Sequence, residues 1–259
     1  MLLDLDAVQK DMVERTAGPW RSDEWVDTGD SWSSLVSARQ YRVLFDLVNR
    51  HVRERAAVLD WGSGSGRFSY ALLTAGLKVS AYDFVEPPQL AALEEVGGPR
   101  FDFTLATEPV GLPFPDATFD VVTSVGVLEH VRETGGTESA SLADIRRVLR
   151  PGGLFICCHL PNEHSWIDAL ARRLPDTHSH AFRYRRHDIE VLVRGGGLFL
   201  VEIRRYGALP RNRASALPAR LRDTERVADL FDRLDASLGW LARPTCQNWA
   251  FVARAAGRP

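Results

Sequence analysis

The residues best suited to chemistry stand in AAVLDWGSGSGRFSY, residues 56–70. There Asp60 closes an apolar run, and Gly62, Gly64 and Gly66 follow at alternate positions with Ser63 between the first two. A dinucleotide fingerprint needs G-x-G-x-x-G, and Arg67 occupies the place of its third glycine. A P-loop needs a lysine behind its last glycine, and none follows. Neither phosphate reading fits. Asp83 closes a second apolar run 19 residues after Gly64, a position from which a carboxylate can accept two ribose hydroxyls. A glycine turn that opens a helix offers backbone N–H groups to a carboxylate. An acid at its entrance, Asp60, answers an ammonium, directly or through water.

A nucleoside joined to an amino acid has all of these features, and S-adenosylmethionine is such a ligand. Transfer of its methyl group is an in-line displacement, so an enzyme must chiefly hold the acceptor close and aligned. A hydroxyl acceptor also needs a base, which suits histidine. His130 in VLEHV follows one apolar run and His159 in CCHLP ends another. Both are candidate catalytic bases, with His130 preferred, whereas Glu129 is expected to make a structural hydrogen bond. HSHAFRY, residues 178–184, adds His178, His180, Arg183 and Tyr184. Two histidines at i and i+2 cannot hold one metal without further ligands, and the sequence offers none, so no metal is expected.

The elements that must position these residues alternate. AAVLDW, KVSAYD, FDFTLA, FDVVTSVG, LFICCHL, LFLVEIRRY and CQNWAFVARA read as strands; RFSYALLTAG, PPQLAALEEV, SLADIRRVL and HDIEVLVRGG read as intervening helices. In SLADIRRVL, Leu142, Ile145 and Leu149 share a face, and Pro151-Gly152-Gly153 is expected to stop the helix. The alternation predicts an α/β fold with a mostly parallel, doubly wound sheet, ligands binding at the carboxyl ends of the strands. Residues 1–55 read as a helical N-terminal segment ahead of a domain over 56–259. The three tryptophans of GPWRSDEWVDTGDSW suit a lid or plain packing. In 207–245, Val227, Leu230, Phe231, Leu234 and Leu238 form a helical stripe expected to pack into the core.

Composition narrows the partners. A net charge of −2 gives no global attraction for nucleic acid or an acidic membrane. Residues 161–226 hold 13 Arg against 8 Asp and Glu, which suits an anionic small-molecule acceptor or simply a solvated surface. Three cysteines make no disulfide framework, no run approaches the ~20 apolar residues of a membrane span, and MLLDLDAVQKDM lacks a signal peptide's core. A cytoplasmic setting is expected; the oligomeric state is not readable.

VLDWGSGSG resembles the first motif of class I S-adenosylmethionine-dependent methyltransferases. LPFPDATFDVVTSVGVLEHV is similar to their fourth-strand motif, IRRVLRPGGLFI to the motif around the fifth strand, and VSAYDF to the ribose-binding segment. The resemblance covers roughly residues 56–160, and NWAFVARA fits the family's antiparallel seventh strand. It implies a Rossmann-like seven-stranded sheet, with residues 161–186 and 207–245 as acceptor-side insertions. It also implies that Phe84 stacks on adenine, that Glu108 replaces the family's adenine-contacting Asp, and that Val125 belongs to the cofactor site. Some similar quinone O-methyltransferases bind a metal through an acid one turn before the EH pair; Val125 stands there. SVGV replaces the [DN]-P-P-[YF] of exocyclic-amine methylation, and the Pro-Cys of cytosine C5 chemistry is absent. The expected activity is O-methylation of a glycan, lipid precursor or natural product. N- or C-methylation, or a non-methylating member that binds the cofactor, are the alternatives.

Overall fold

The computed structural model describes residues 2–16, 32, 34–174, 179–211, 214 and 217–257. Alternation of strand and helix from residue 57 builds one sheet in the order β3-β2-β1-β4-β5-β7-β6. Its strands are β1 (Ala57–Trp61), β2 (Lys78–Asp83), β3 (Phe101–Leu105), β4 (Phe119–Val125), β5 (Leu149–Pro161), β6 (Leu198–Tyr206) and β7 (Asn248–Ala255). β3, β2, β1, β4 and β5 are mutually parallel, and β7 runs antiparallel between β5 and β6. The order reverses between β1 and β4, so their carboxyl ends open the crevice where ligands bind on such sheets. The doubly wound sheet with an antiparallel last strand is as the sequence predicts.

Neighbouring residues of each central strand feed opposite faces. Val58, Val121 and Ile156 join a core with Leu44, Phe45, Tyr70 and Leu72. Leu59, Val122 and Phe155 join a second core with Leu142, Ile145, Ile189 and Val193. The first face is covered by α1 (Leu5–Thr16), α3 (Arg42–His51), α4 (Arg67–Thr74) and α5 (Leu90–Gly97), with the short α2 (Leu35–Ala38) between α1 and α3. The second is covered by α6 (Glu138–Val148) and α8 (Arg186–Gly195). Leu3, Val8 and Met12 are buried in the first core, so the described part of the N-terminal segment is continuous with the sheet. The tryptophan-rich stretch lies outside the described residues except for Trp32, which is buried there.

Two expectations are corrected. α6 ends at Val148, and Leu149 is already extended as the first residue of β5. Arg150 precedes Pro151, and a residue before proline is pushed out of the helical region. The chain therefore leaves the helix early, and Pro151-Gly152-Gly153 lies inside β5. The second correction concerns α10 (Glu225–Leu241). Leu230, Leu234 and Leu238 are 54%, 46% and 40% exposed, so they are not core. The helix turns Ala228 inward instead, beside Leu35 and Val36 of α2, with Val227 and Phe231 only partly covered. Asp232 and Asp235 are needed on the inner side by buried arginines: Arg211 Nη1 donates to Asp232 Oδ1 at 2.6 Å and Arg39 Nη1 to Asp232 Oδ2 at 3.1 Å. Charge pairing, not apolar burial, chooses which face docks.

That difference has a stability consequence. Leu142→Ala, at a fully buried position, will lower the unfolding free energy by about 2–5 kcal/mol through lost transfer energy and a cavity. Leu234→Ser will stay within about 0.5 kcal/mol of the parent. Urea midpoints at constant slope measure both; equal losses would return Leu234 to the core.

Candidate active site

The turn after β1 is built by its glycines. Gly62 has φ +73°, and a Cβ there would lie 2.3 Å from Val127 Cγ2, so no side chain fits. Gly64 has φ +53° with nothing within 4 Å of the Cβ position; its cost is conformational and the space beyond is open. The amides of Gly62 and Ser63 both donate to the Tyr82 carbonyl, at 2.8 and 3.2 Å, which pins the turn to β2. The Gly64 amide donates to Asp83 Oδ2 at 2.6 Å.

These residues line a cavity of about 340 Å³ at the carboxyl ends of β1, β2 and β4. Of the residues expected to hold the cofactor, Gly62, Gly64, Asp83, Phe84, Glu108 and Val125 are on its wall. Phe84 is 46% exposed and so is no core aromatic; its ring is free to cover a flat ligand. Trp61, Tyr82, Val127 and Val131 complete an apolar lining that the motif reading did not name. The residues present fit the nucleoside-and-amino-acid ligand: an open glycine turn for the backbone approach, an acid at the end of β2, and an apolar lip.

Asp60, Ser63 and Gly66 stand back from the cavity. Asp60 is buried, Oδ2 accepting from Ser69 Oγ at 2.6 Å and Oδ1 from Thr123 Oγ1 at 3.2 Å. It therefore ties β1 to α4 and β4, and does not meet a ligand ammonium directly. Burial pushes its carboxyl up to about 6, against the two hydroxyl donors.

The two histidines separate. His130 ends the single turn Leu128–His130 and lines the cavity. Its Nδ1 is 2.9 Å from Glu133 Oε2, which as acceptor leaves Nε2 with the free lone pair. His159 is not on that wall. It has φ +61° in the irregular end of β5, its ring lies between Tyr41 and Tyr206, and its buried Nε2 has no partner. Burial first, and then the nearby His180, lowers its imidazole to about 4, so the ring is neutral at physiological pH.

Glu129 keeps a backbone hydrogen bond, in line with a structural role. It is buried with Oε2 unpartnered, and burial raises it to about 8, so it is largely the neutral acid at pH 7. His180 comes within 6.0 Å of His130, ring to ring, and one ligand atom from each of Glu129, His130 and His180 falls within 4.8 Å of the others. The further donors that the sequence did not offer His180 thus come from the turn after β4. His178 lies outside the described residues. Asp168, which motif reading missed, is buried behind His180, with Oδ1 3.7 Å from His180 Nδ1. Its one sequence signal is the S-x-x-D spacing from Ser165, whose Oγ accepts from the Asp168 amide at 3.1 Å.

A doubly wound sheet with an open glycine turn and a ribose-height acid at its switch point defines a class I-type nucleoside site. A family profile described as a methyltransferase domain matches residues 59–157. The ubiquinone biosynthesis O-methyltransferase of Burkholderia ambifaria is 30% identical over 191 residues, covering 70% of this chain and 80% of that protein. A demethylmenaquinone methyltransferase of Renibacterium salmoninarum is 33% identical over 157 residues, covering 57% and 61%. In structure, the chain is similar to the Burkholderia thailandensis 1,6-didemethyltoxoflavin-N1-methyltransferase, crystallised with its substrate and S-adenosylhomocysteine. The TM-score is 0.58 at 21% identity, with 96% and 88% of the two chains covered. The chain belongs to the class I S-adenosylmethionine-dependent methyltransferases. It is an enzyme of that family acting on a small molecule, with S-adenosylmethionine as its methyl donor.

Asp83→Ala will weaken S-adenosylhomocysteine binding by about 1.5–3 kcal/mol, since it removes a charged acceptor from both the ribose site and the Gly64 amide. Calorimetry on the folded variant decides; unchanged affinity would remove Asp83 from the site. Asp60 makes a second prediction. An acid raised above its unfolded value binds more protons when folded, so its contribution falls as pH rises from about 4 to about 6. Asp60→Asn will flatten the stability profile across that window by about 3 kcal/mol, as followed by urea melts at each pH.

Proposed function

We propose that this methyltransferase acts on a hydroxyl of an acceptor carrying negative charge, and that His130 takes the hydroxyl proton as the methyl arrives. The observation that carries the reading is the place of His130, on the wall shared with Asp83 and the glycine turn. Bound S-adenosylmethionine would supply an electrophilic methyl on a sulfonium. The chain's own part is to seat the donor on the glycine turn and Asp83, cover it with Phe84, and exclude water with Trp61, Tyr82 and Val127. Glu133 orients the imidazole through Nδ1, so that Nε2 faces its task as base. The naming of the Burkholderia ambifaria relative as an O-methyltransferase supports oxygen as the acceptor atom. The surplus of arginine over acid in 161–226 supports an anionic acceptor.

We take transfer to proceed without a metal, holding the acceptor close and aligned being its main requirement; Glu129, His130 and His180 lie close enough together to share a cation, so chelation is the check. The reaction belongs in the cytoplasm; among the described residues no helix is long and apolar enough to cross a membrane, and the three cysteines are buried free thiols.

Steady-state turnover with S-adenosylmethionine and a panel of phenolic carboxylates and phosphorylated alcohols tests the reading. His130→Ala will lower kcat at least about tenfold, within the range for loss of a general base, with S-adenosylhomocysteine affinity unchanged because the loss lies in the transition state. Chelation with EDTA will leave turnover unaltered. Near-parental kcat in His130→Ala would mean that alignment alone drives transfer.

A further inference from the structure

A second cavity, about 510 Å³, opens on the same edge of the sheet beyond β5. Its walls come from α3, the carboxyl end of β6, the start of β7 and α10. Five arginines line it (Arg39, Arg42, Arg205, Arg211 and Arg243) against three aspartates (Asp46, Asp232 and Asp235). The pairing is uneven. Arg39, Arg42 and Arg211 are all held by Asp232, and Arg211 also by Asp235, so that side of the cavity is neutralised internally. Arg205 and Arg243 have no carboxylate within ion-pair distance among the described residues. The Arg205 Cζ sits over the Trp249 ring, 4.1 Å from its centroid, and its buried Nε has no partner. Stacking of this kind fixes the plane of the guanidinium and leaves its edge for a planar or tetrahedral anion.

The cavity is joined to the donor site through one residue. Tyr206 and Asn248 line it, and both touch His159: Tyr206 Oη accepts from the His159 amide at 2.7 Å, and Asn248 Nδ2 is 3.4 Å from His159 Nδ1. On the other side, a Cβ at Gly126, a wall residue of the donor cavity, would be 3.9 Å from His159 Cβ.

We propose that the second cavity is an anion subsite in which Arg205 and Arg243 take a phosphate or carboxylate group of the acceptor, with the neutral His159 lying between that anion and the methyl donor. The inference rests on the methyl-transfer reading for its direction, toward the acceptor, but not for the binding itself. Burial lowers the Arg205 guanidinium, Cys246 opposes this, and Arg243 and Arg186 lower it further; a bound anion relieves that uncompensated charge.

The test uses the full chain at low ionic strength, with inorganic pyrophosphate and benzoate as probes and benzyl alcohol as the neutral control. Calorimetry, or the tryptophan emission that Trp249 and Trp240 contribute, reads the binding. Saturable binding of either anion but not of the alcohol, weakened at least tenfold in Arg205→Gln, is expected. So is S-adenosylhomocysteine affinity within twofold of the parent in that variant. Tighter pyrophosphate marks a phosphorylated acceptor and tighter benzoate a carboxylate. Should Arg205→Gln fail to fold, the exposed Arg243→Gln carries the same expectation. Asp83→Ala will show the converse, keeping anion binding while losing the donor, so failure at one site is distinguishable from failure at the other. Equal binding in parent and arginine variants, or no saturable binding, overturns the subsite.

Discussion

The Gly64 amide donates to the Asp83 carboxylate at 2.6 Å, and the donor site depends on that contact. It is possible only because β1 and β2 are parallel neighbours that end together, Trp61 beside Tyr82. It also requires a left-handed turn that brings an amide back over the end of β2. Gly62 supplies the turn against Val127, leaving no room for a side chain. The same carboxylate then has to serve backbone and ligand together. Backbone amides of Gly64 and Val85 donate to its two oxygens, at 2.6 and 3.4 Å, and orient the carboxylate before any ligand arrives, so little ordering remains to be done on binding.

The donor half of this site was legible in the sequence because it is local. Glycine spacing and two acids at strand ends describe a single β-turn-α-β unit, and six of the nine expected cofactor residues share one cavity wall. Asp60 shows where a local reading stops. From sequence alone an acid before a glycine turn faces the ligand; in the fold its two oxygens are taken by Ser69 and Thr123. The acceptor half was not legible. His180 reaches Glu129 and His130 from the connection after β5, which is drawn in where Asn162 bridges Tyr184 in parallel. No spacing rule links residue 180 to residue 130.

α10 failed as a sequence reading for a different reason. Hydrophobic periodicity assumes that the apolar stripe turns inward. Here the buried cation Arg39, held by Asp6, Asp229 and Asp232, needs carboxylates from that helix. Removing the carboxylates from a buried cation costs about 3–5 kcal/mol, the same order as the part of roughly 1.5–3 kcal/mol each that three half-exposed leucines forgo. The stripe thus yields to the ion network. That network also neutralises one side of the second cavity, so its free charge collects at Arg205 and Arg243.

His159 connects these two halves. A non-glycine residue at φ +61° costs on the order of 1–3 kcal/mol and persists only where its surroundings over-determine it. Here Tyr206 takes its amide, Tyr41 and Tyr206 bracket the ring, and Asn248 meets Nδ1. A protonated ring at this place would add a cation to a region already holding two uncompensated arginines. Burial prevents this by holding the imidazole down to about 4. His130 instead stands on the cavity wall with Glu133 at its Nδ1. The two histidines that look equivalent in the sequence are therefore divided by solvation: one stands on the open wall of the donor cavity, and the other is a buried, polar but uncharged neighbour of both cavities.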